Sequence, residues 1–201
     1  MSARVASPDE VLAYWFPQGH DATTESLRAR MDFWFHGGAA VDAEIRARFG
    51  ATLEAAVRGE LSDWSERVRG RLALVIVLDQ FPRNMFRGTP QAFAQDARAL
   101  EVAQAAVAAG DEAALGVTEQ MFLRLPFAHS ERAEMQEQSV RAVERIASTA
   151  PASLRPMLET GIARARARRA AVQKFGRIPE RNATLGRAST AEETAYLAQT
   201  I

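Results

Sequence analysis

No cysteine occurs in the 201 residues, which excludes disulfides, a thiolate nucleophile and zinc sites built on thiolates. Excess charge is missing too, because 25 Lys and Arg balance 25 Asp and Glu. That argues against coating nucleic acid or an anionic membrane by bulk charge, although it leaves room for a local basic patch. The longest apolar run, Leu72 to Leu78, falls far short of the ~18 residues of a membrane span. Met1-Ser2-Ala3-Arg4-Val5-Ala6-Ser7-Pro8 has no apolar signal core. No strand-like alternation extends beyond a few residues, and no low-complexity segment or linker marks a domain boundary. No repeat at the ~34-residue tetratricopeptide period is visible. P-loop, GxSxG, HExxH and GxGxxG elements are all missing, so no cofactor is implied. The expectation is a soluble cytoplasmic protein forming a single all-α domain over residues 1–201, long enough to bury a core.

What the chain does have is Leu72-Ala73-Leu74-Val75-Ile76-Val77-Leu78-Asp79-Gln80-Phe81-Pro82-Arg83-Asn84. Apolar residues occupy every face of this helical segment, and a helix apolar all round is a buried one. The residue before a proline is pushed out of the α region, so Pro82 predicts the stop of a central helix over about residues 71–81. A buried helix would thus deliver Asp79, Gln80, Arg83 and Asn84 to one end of the core, where polar groups need partners.

Around it the punctuation is helical. Ser7-Pro8-Asp9-Glu10 is a capping box with proline at the first helical position. Val11, Leu12, Trp15 and Phe16 give its inward face. A second helix over residues 25–35 turns Leu27, Met31, Trp34 and Phe35 inward and breaks at Gly37-Gly38. A third, residues 41–58, repeats Val41, Ile45, Phe49, Leu53 and Val57 and ends on Gly59. Thr89-Pro90 predicts the start of a helix running to Gly110. A short helix follows over residues 117–123, then a loop Leu125-Pro126-Phe127-Ala128-His129, with Ser130 capping a helix over residues 131–147. Residues 154–175 form a further helix with Gly176 as its cap, and Thr190-Ala191-Glu192-Glu193 opens the last one.

Three constellations carry chemistry. Pro82-Arg83-Asn84 is echoed by Pro179-Glu180-Arg181-Asn182. Arginine forks bind carboxylate or phosphate, and asparagine amides satisfy loops or ligands. Asp79 can equally pair with Arg83 one turn on. His129, placed just before a helix N-terminus, would stay neutral and act as a base or as a donor to an anion. His20 and His36 stand remote from it, so no metal site is implied. The basic set Arg164, Arg166, Arg168, Arg169, Lys174 and Arg177 does not share one face and has no aromatic platform, which disfavours nucleic acid. Tyr14-Trp15-Phe16 and Phe33-Trp34-Phe35 read as core.

The chain resembles the bacterial family called domain of unknown function 924. The likeness rests on Leu78-Asp79-Gln80-Phe81-Pro82-Arg83-Asn84, Phe86-Arg87-Gly88-Thr89-Pro90, Leu125-Pro126-Phe127-Ala128-His129-Ser130-Glu131, Phe175-Gly176-Arg177, Arg181-Asn182 and Leu185-Gly186-Arg187. It runs from Val11 to Leu197. The resemblance implies a tetratricopeptide-like helical array and no established activity. The family pattern has His-Arg-Asp where this chain has Arg168-Arg169-Ala170, and Phe-Pro-His-Arg-Asn where it has Ile178-Pro179-Glu180-Arg181-Asn182. Two histidines and an aspartate are replaced.

The residues together predict a binding or interaction module. Gln80, Arg83, Asn84, His129 and Arg177 would converge on one anion pocket, with Asp79 and Asn182 beside them. The alternative is a small-molecule or phosphoester enzyme using the same cluster. The expected partner is a small anionic ligand or a protein, with no membrane. No long apolar stripe is left over once the core is assigned, so a monomer or weak dimer is expected.

Overall fold

Local start and stop signals act where the sequence places them. In the computed structural model, which describes residues 4–199, Ser7 caps α1 (Pro8–Trp15). Glu10 N donates to its hydroxyl, and the Ser7 amide donates back to the Glu10 carboxylate. Residues 1–3, part of the N-terminus read above as lacking a signal core, lie outside the described residues. Thr23 and Ser26 form the same reciprocal cap on α2 (Thr24–His36). α3 (Gly38–Arg58) begins at the glycine pair and ends on Gly59, whose φ of 81° only glycine takes without strain. All regular elements among the described residues are helical, so the fold is all-α.

The inward faces need two corrections. Ile45, Phe49 and Leu53 are buried, but Val57 is 42% exposed, because a strict four-residue spacing drifts around the helix and Ala55 and Ala56 take the inward positions of the last turn. Phe35, expected inward, is also 42% exposed. Its ring stacks on Phe122 at 6.3 Å instead.

The central helix does not stop at Pro82. α4 (Val68–Val75) runs into a π turn (Ile76–Gln80) and on through α5 (Phe81–Met85). A proline ring in a helix clashes with the carbonyl four residues back, here that of Leu78, and lacks the amide that would bond to it. The widened π turn absorbs both effects, with Phe81 N–H reaching five residues back to the Ile76 carbonyl. Such single turns occur often at functional sites. Leu72 through Pro82 are all buried, which keeps the helix intact where local propensity would end it.

Three more boundaries differ from expectation. Thr89 does not cap a long helix, because its hydroxyl donates to the Phe86 carbonyl at 2.8 Å. Pro90–Phe93 is a separate 3-10 turn, and α6 (Asp96–Ala108) starts at Asp96. Pro126 lies inside α7 (Val117–His129) rather than in a loop, held there by the buried Phe122, Leu123 and Phe127. α8 (Ala133–Thr149) therefore starts later than expected, and the Ser130 hydroxyl accepts only from Arg132 N. α9 (Arg155–Phe175) and α10 (Ala191–Gln199) follow the prediction, with Gly176 and the Thr190–Glu193 box as caps.

One contiguous core runs from Ala6 to Leu158. α4 packs on α1, α6 and α7, while α7 packs on α8 and α8 on α9. Trp15 sits at the centre of the aromatic set, edge-on to Phe81 and Phe122 at 5.7 and 5.6 Å. This arrangement turns the C-terminal ends of the central helix and of α7 toward α9 across a cavity.

The approach of α4 to the 3-10 turn Ser62–Glu66 depends on Gly70, where an added Cβ would lie 2.1 Å from the Trp64 carbonyl oxygen. Gly70→Ala should cost about 1–3 kcal/mol or more in a urea melt. Gly50→Ala, at a helical position with nothing near the new methyl, should be neutral or gain about 0.5–1 kcal/mol. Equal midpoints for Gly70→Ala and the wild type would refute this packing.

Candidate functional site

The π turn carries Asp79 and Gln80 into the interior. Asp79 is fully buried. Its Oδ1 accepts from His129 Nδ1 at 2.7 Å, and its Oδ2 accepts from Gln80 Nε2 at 2.5 Å. Arg83, one turn on, lies 3.4 Å from Oδ1. The Arg83 guanidinium also grips Asp96 with two bonds of 2.8 and 3.0 Å. Arg181 meets the same Asp96 at 3.0 Å. Phe93 lies against both guanidiniums, at 5.6 Å from Arg83 and 4.6 Å from Arg181. The two arginine–asparagine segments thus do meet, at a carboxylate on α6.

His129 stands at the C-terminal end of α7, not before a helix N-terminus. Its neutrality has a different cause from the one expected. Burial pushes its pKa down to about 4, the nearby Arg83 charge adds to this, and Asp79 offsets only part. Burial alone would raise the Asp79 carboxyl, but the charge of Arg83 and the bonds from His129 and Gln80 hold it well below the usual carboxylate range. The pair at neutral pH is therefore an ionised Asp79 and a neutral His129. Nδ1 must carry the proton it donates, which leaves the Nε2 lone pair free. Nε2 makes no hydrogen bond among the described residues, and the ring lines a cavity.

That cavity has a volume of about 370 Å³. Its wall holds Arg83, Arg87, Arg124, Arg164 and Arg168, and no carboxylate. Three of these guanidiniums are held from behind. Arg83 has Asp79 and Asp96, Arg87 has Asp42 at 2.8 Å, and Arg124 has Glu112 at 2.6 Å. Arg164 and Arg168 have no carboxylate within ion-pair distance among the described residues. Burial lowers the Arg168 pKa below the ordinary guanidinium value, and Glu180 offsets only part of that. Arg168 is half-buried with no carboxylate in contact among the described residues, and such a cation is stabilised by any anion that enters.

Of the residues singled out from sequence, Gln80, Arg83, Asn84 and His129 line this cavity, and Asp79 sits directly behind them. Asn84 also donates to Asp42 at 2.9 Å. Arg177 and Asn182 do not join them. Arg177 is bonded to Glu193 and to the Ala188 carbonyl, and Asn182 Nδ2 donates to Ser189. Both secure the segment leading into α10 instead of converging on the cavity. On α9, Arg166 and Arg169 turn outward to Glu144 and Glu137. Asp96 was not legible as a site residue, and Arg164 and Arg168 were grouped in a basic set without being assigned to the pocket. The spacing Met157, Gly161, Arg164, Arg168 is a helical stripe that could have revealed the last two. Arg168, a position where the chain departs from the family pattern, therefore faces the cavity, whereas Ala170 is exposed. Among the described residues no group of three or more His, Asp or Glu could hold a metal ion, and no helix is long and apolar enough to cross a membrane.

The pair has a pH signature. A histidine whose folded pKa is depressed binds a proton more readily when unfolded, so acid favours unfolding. Stability should be at its full value above pH ~6.5 and fall as pH drops toward 4, by on the order of 2–3 kcal/mol at about 1.4 kcal/mol per unit. The loss from protonating Asp79, whose folded value is also depressed, begins below pH ~4. Urea melts of the wild type and His129→Gln between pH 7 and 5 should differ in slope. Parallel slopes would contradict a buried neutral His129.

Comparison with known proteins agrees with the resemblance seen in the motifs. A solved structure of a protein of unknown function from Agrobacterium tumefaciens is similar, at 32% identity and a TM-score of 0.78 over 96% of this chain and 97% of that one. No curated protein matches. Residues 11–200 match the family described as bacterial protein of unknown function (DUF924), and the chain belongs to that family.

Proposed function

We propose that the protein is a helical ligand-binding module whose cavity takes a small anion. One observation carries this reading: five arginines and no carboxylate line the cavity, and two of the five make no ion pair among the described residues. The supporting carboxylates Asp96, Asp42 and Glu112 fix their guanidiniums from behind, leaving the remaining donors free to turn inward. A volume of about 370 Å³ lies within the ~300–1,000 Å³ of small-molecule sites. The serial packing of α6, α7, α8 and α9 supports a tetratricopeptide-like array as the frame. The same reading takes the chain as one domain, cytoplasmic, and a monomer or weak dimer.

A second reading is favoured by the free Nε2 of His129. A buried carboxylate on Nδ1 fixes the tautomer, and the other nitrogen is then set to take a proton from a bound ligand or water. In that case the pocket is an enzyme site, and His129→Gln abolishes turnover while keeping anion binding.

Thermal melts with inorganic phosphate and sulfate test the binding reading. An anion at a hundred times its dissociation constant should add ~2.7 kcal/mol. Arg168→Ala should abolish that shift with unliganded stability unchanged or raised, since it removes a cation without stranding a carboxylate. Arg83→Ala should instead cost roughly 3–5 kcal/mol, because Asp79 is left buried without its cation. The proposal fails if neither anion shifts the melt, or if Arg168→Ala shifts as the wild type does.

A further inference from the structure

The anion pocket is unevenly polar along its length, and its one arginine at the apolar end, Arg124, is already paired with Glu112. Along α9, Met157, Gly161, Arg164 and Arg168 all face the cavity. Met157 and Arg168 are about 16 Å apart along the axis, at 1.5 Å per residue. α8 runs back against α9 through a short connection, and its cavity residues pass from Ile146 through Val143 to Ser139. α7 runs back against α8, and its residues pass from Met121 through Leu125 to His129. Met121, Ile146 and Met157 therefore gather near the α8–α9 connection, where Arg124 is neutralised by Glu112, and Ser139, His129 and the unpaired Arg168 lie near the C-terminal end of α7. Gln80 and Arg83, from the end of the central helix, join the polar end. Trp34, which is 6% exposed, and the more open Phe35 complete an apolar side wall from α2.

A purely inorganic anion uses only half of such a wall. Phosphate and sulfate would fill the arginine end and leave Met121, Ile146, Met157 and Trp34 facing water, at a cost proportional to their area. We infer that the cavity is built for an amphipathic anion: a carboxylate or phosphate head on Arg164 and Arg168, and an unbranched apolar tail along Met121, Val143, Ile146 and Met157. This deepens the anion-binding reading and rests on it. The size follows from the volume. About 370 Å³ corresponds to roughly a dozen water-sized groups at ~30 Å³ each, which matches a head with a tail of about eight carbons. Methionine dominates the tail end, and its flexible thioether fits a chain without fixed shape.

Calorimetric titration of the full chain tests this with a series of alkyl phosphates and the matching carboxylates, from butyl to octyl. Inorganic phosphate and octanol are the reference probes. Affinity should tighten about fourfold per added methylene and level off near octyl. Octanol should bind at least tenfold more weakly than octyl phosphate. Arg168→Ala should weaken all chain lengths by the same factor. Gly161→Leu adds bulk toward Val143, whose methyl would stand 3.5 Å from the new Cβ. It should erase the chain-length dependence and leave inorganic phosphate bound. Val143→Phe, which fills the same end from the opposite helix, should do likewise. If octyl phosphate binds no tighter than inorganic phosphate, the amphipathic assignment falls and the anion pocket stands. Octanol binding as tightly as octyl phosphate removes the role given to the arginines. If nothing in the series binds, both readings fall.

Discussion

A carboxylate with no exposure to water must be neutralised where it stands, and Asp79 is such a group. Desolvating a charge costs several kcal/mol unless close partners offset it. Arg83, His129 and Gln80 are those partners, and each comes from a definite structural device. The π turn rotates Asp79 inward while letting the helix continue to Arg83. The extension of α7 past Pro126 brings His129 to within 2.7 Å. Arg83 in turn needs a second carboxylate to stay fixed in a half-buried position, and Asp96 at the start of α6 supplies it. Removing any one member leaves a buried polar group unsatisfied, so the network acts as a unit.

The same logic gives the cavity its character. Carboxylates pair with Arg83, Arg87 and Arg124, and all three arginines line the open space. Arg164 and Arg168 lack that support and are the cations most changed by an arriving anion. Buried, and with the charge of Arg83 nearby, His129 stays neutral, so it adds no positive charge to the wall. It contributes instead a lone pair next to the guanidiniums, a combination suited both to orienting a ligand and to accepting a proton from one.

The sequence made legible what local chemistry decides. Ser7 and Thr190 cap as their capping boxes require, and Gly59 and Gly176 end helices in the left-handed conformation. Burial of the Leu72–Leu78 run follows from its composition alone. Pro82 and Pro126 were misread because their effect is set by surroundings. Both lie in core helices whose packed neighbours outweigh the loss of one backbone bond. That error displaced His129 from the end of one helix to the start of another, and with it the cause of its neutrality. Arg177 and Arg168 show the complementary limit. Arg177 was expected in the pocket, but helical phase places Arg168 on the cavity, and Glu193 claims Arg177.

The protonation state of His129 is the most direct readout of the whole network. Nuclear magnetic resonance of ring-labelled histidine reports tautomer and charge at each ring. The Asp79 network predicts one imidazole with its proton on Nδ1, neutral throughout the physiological range and titrating near pH 4. That resonance should shift when phosphate enters the cavity. A His129 ring protonated on Nε2, or one that titrates at the ordinary value of about 6.5, would contradict the account.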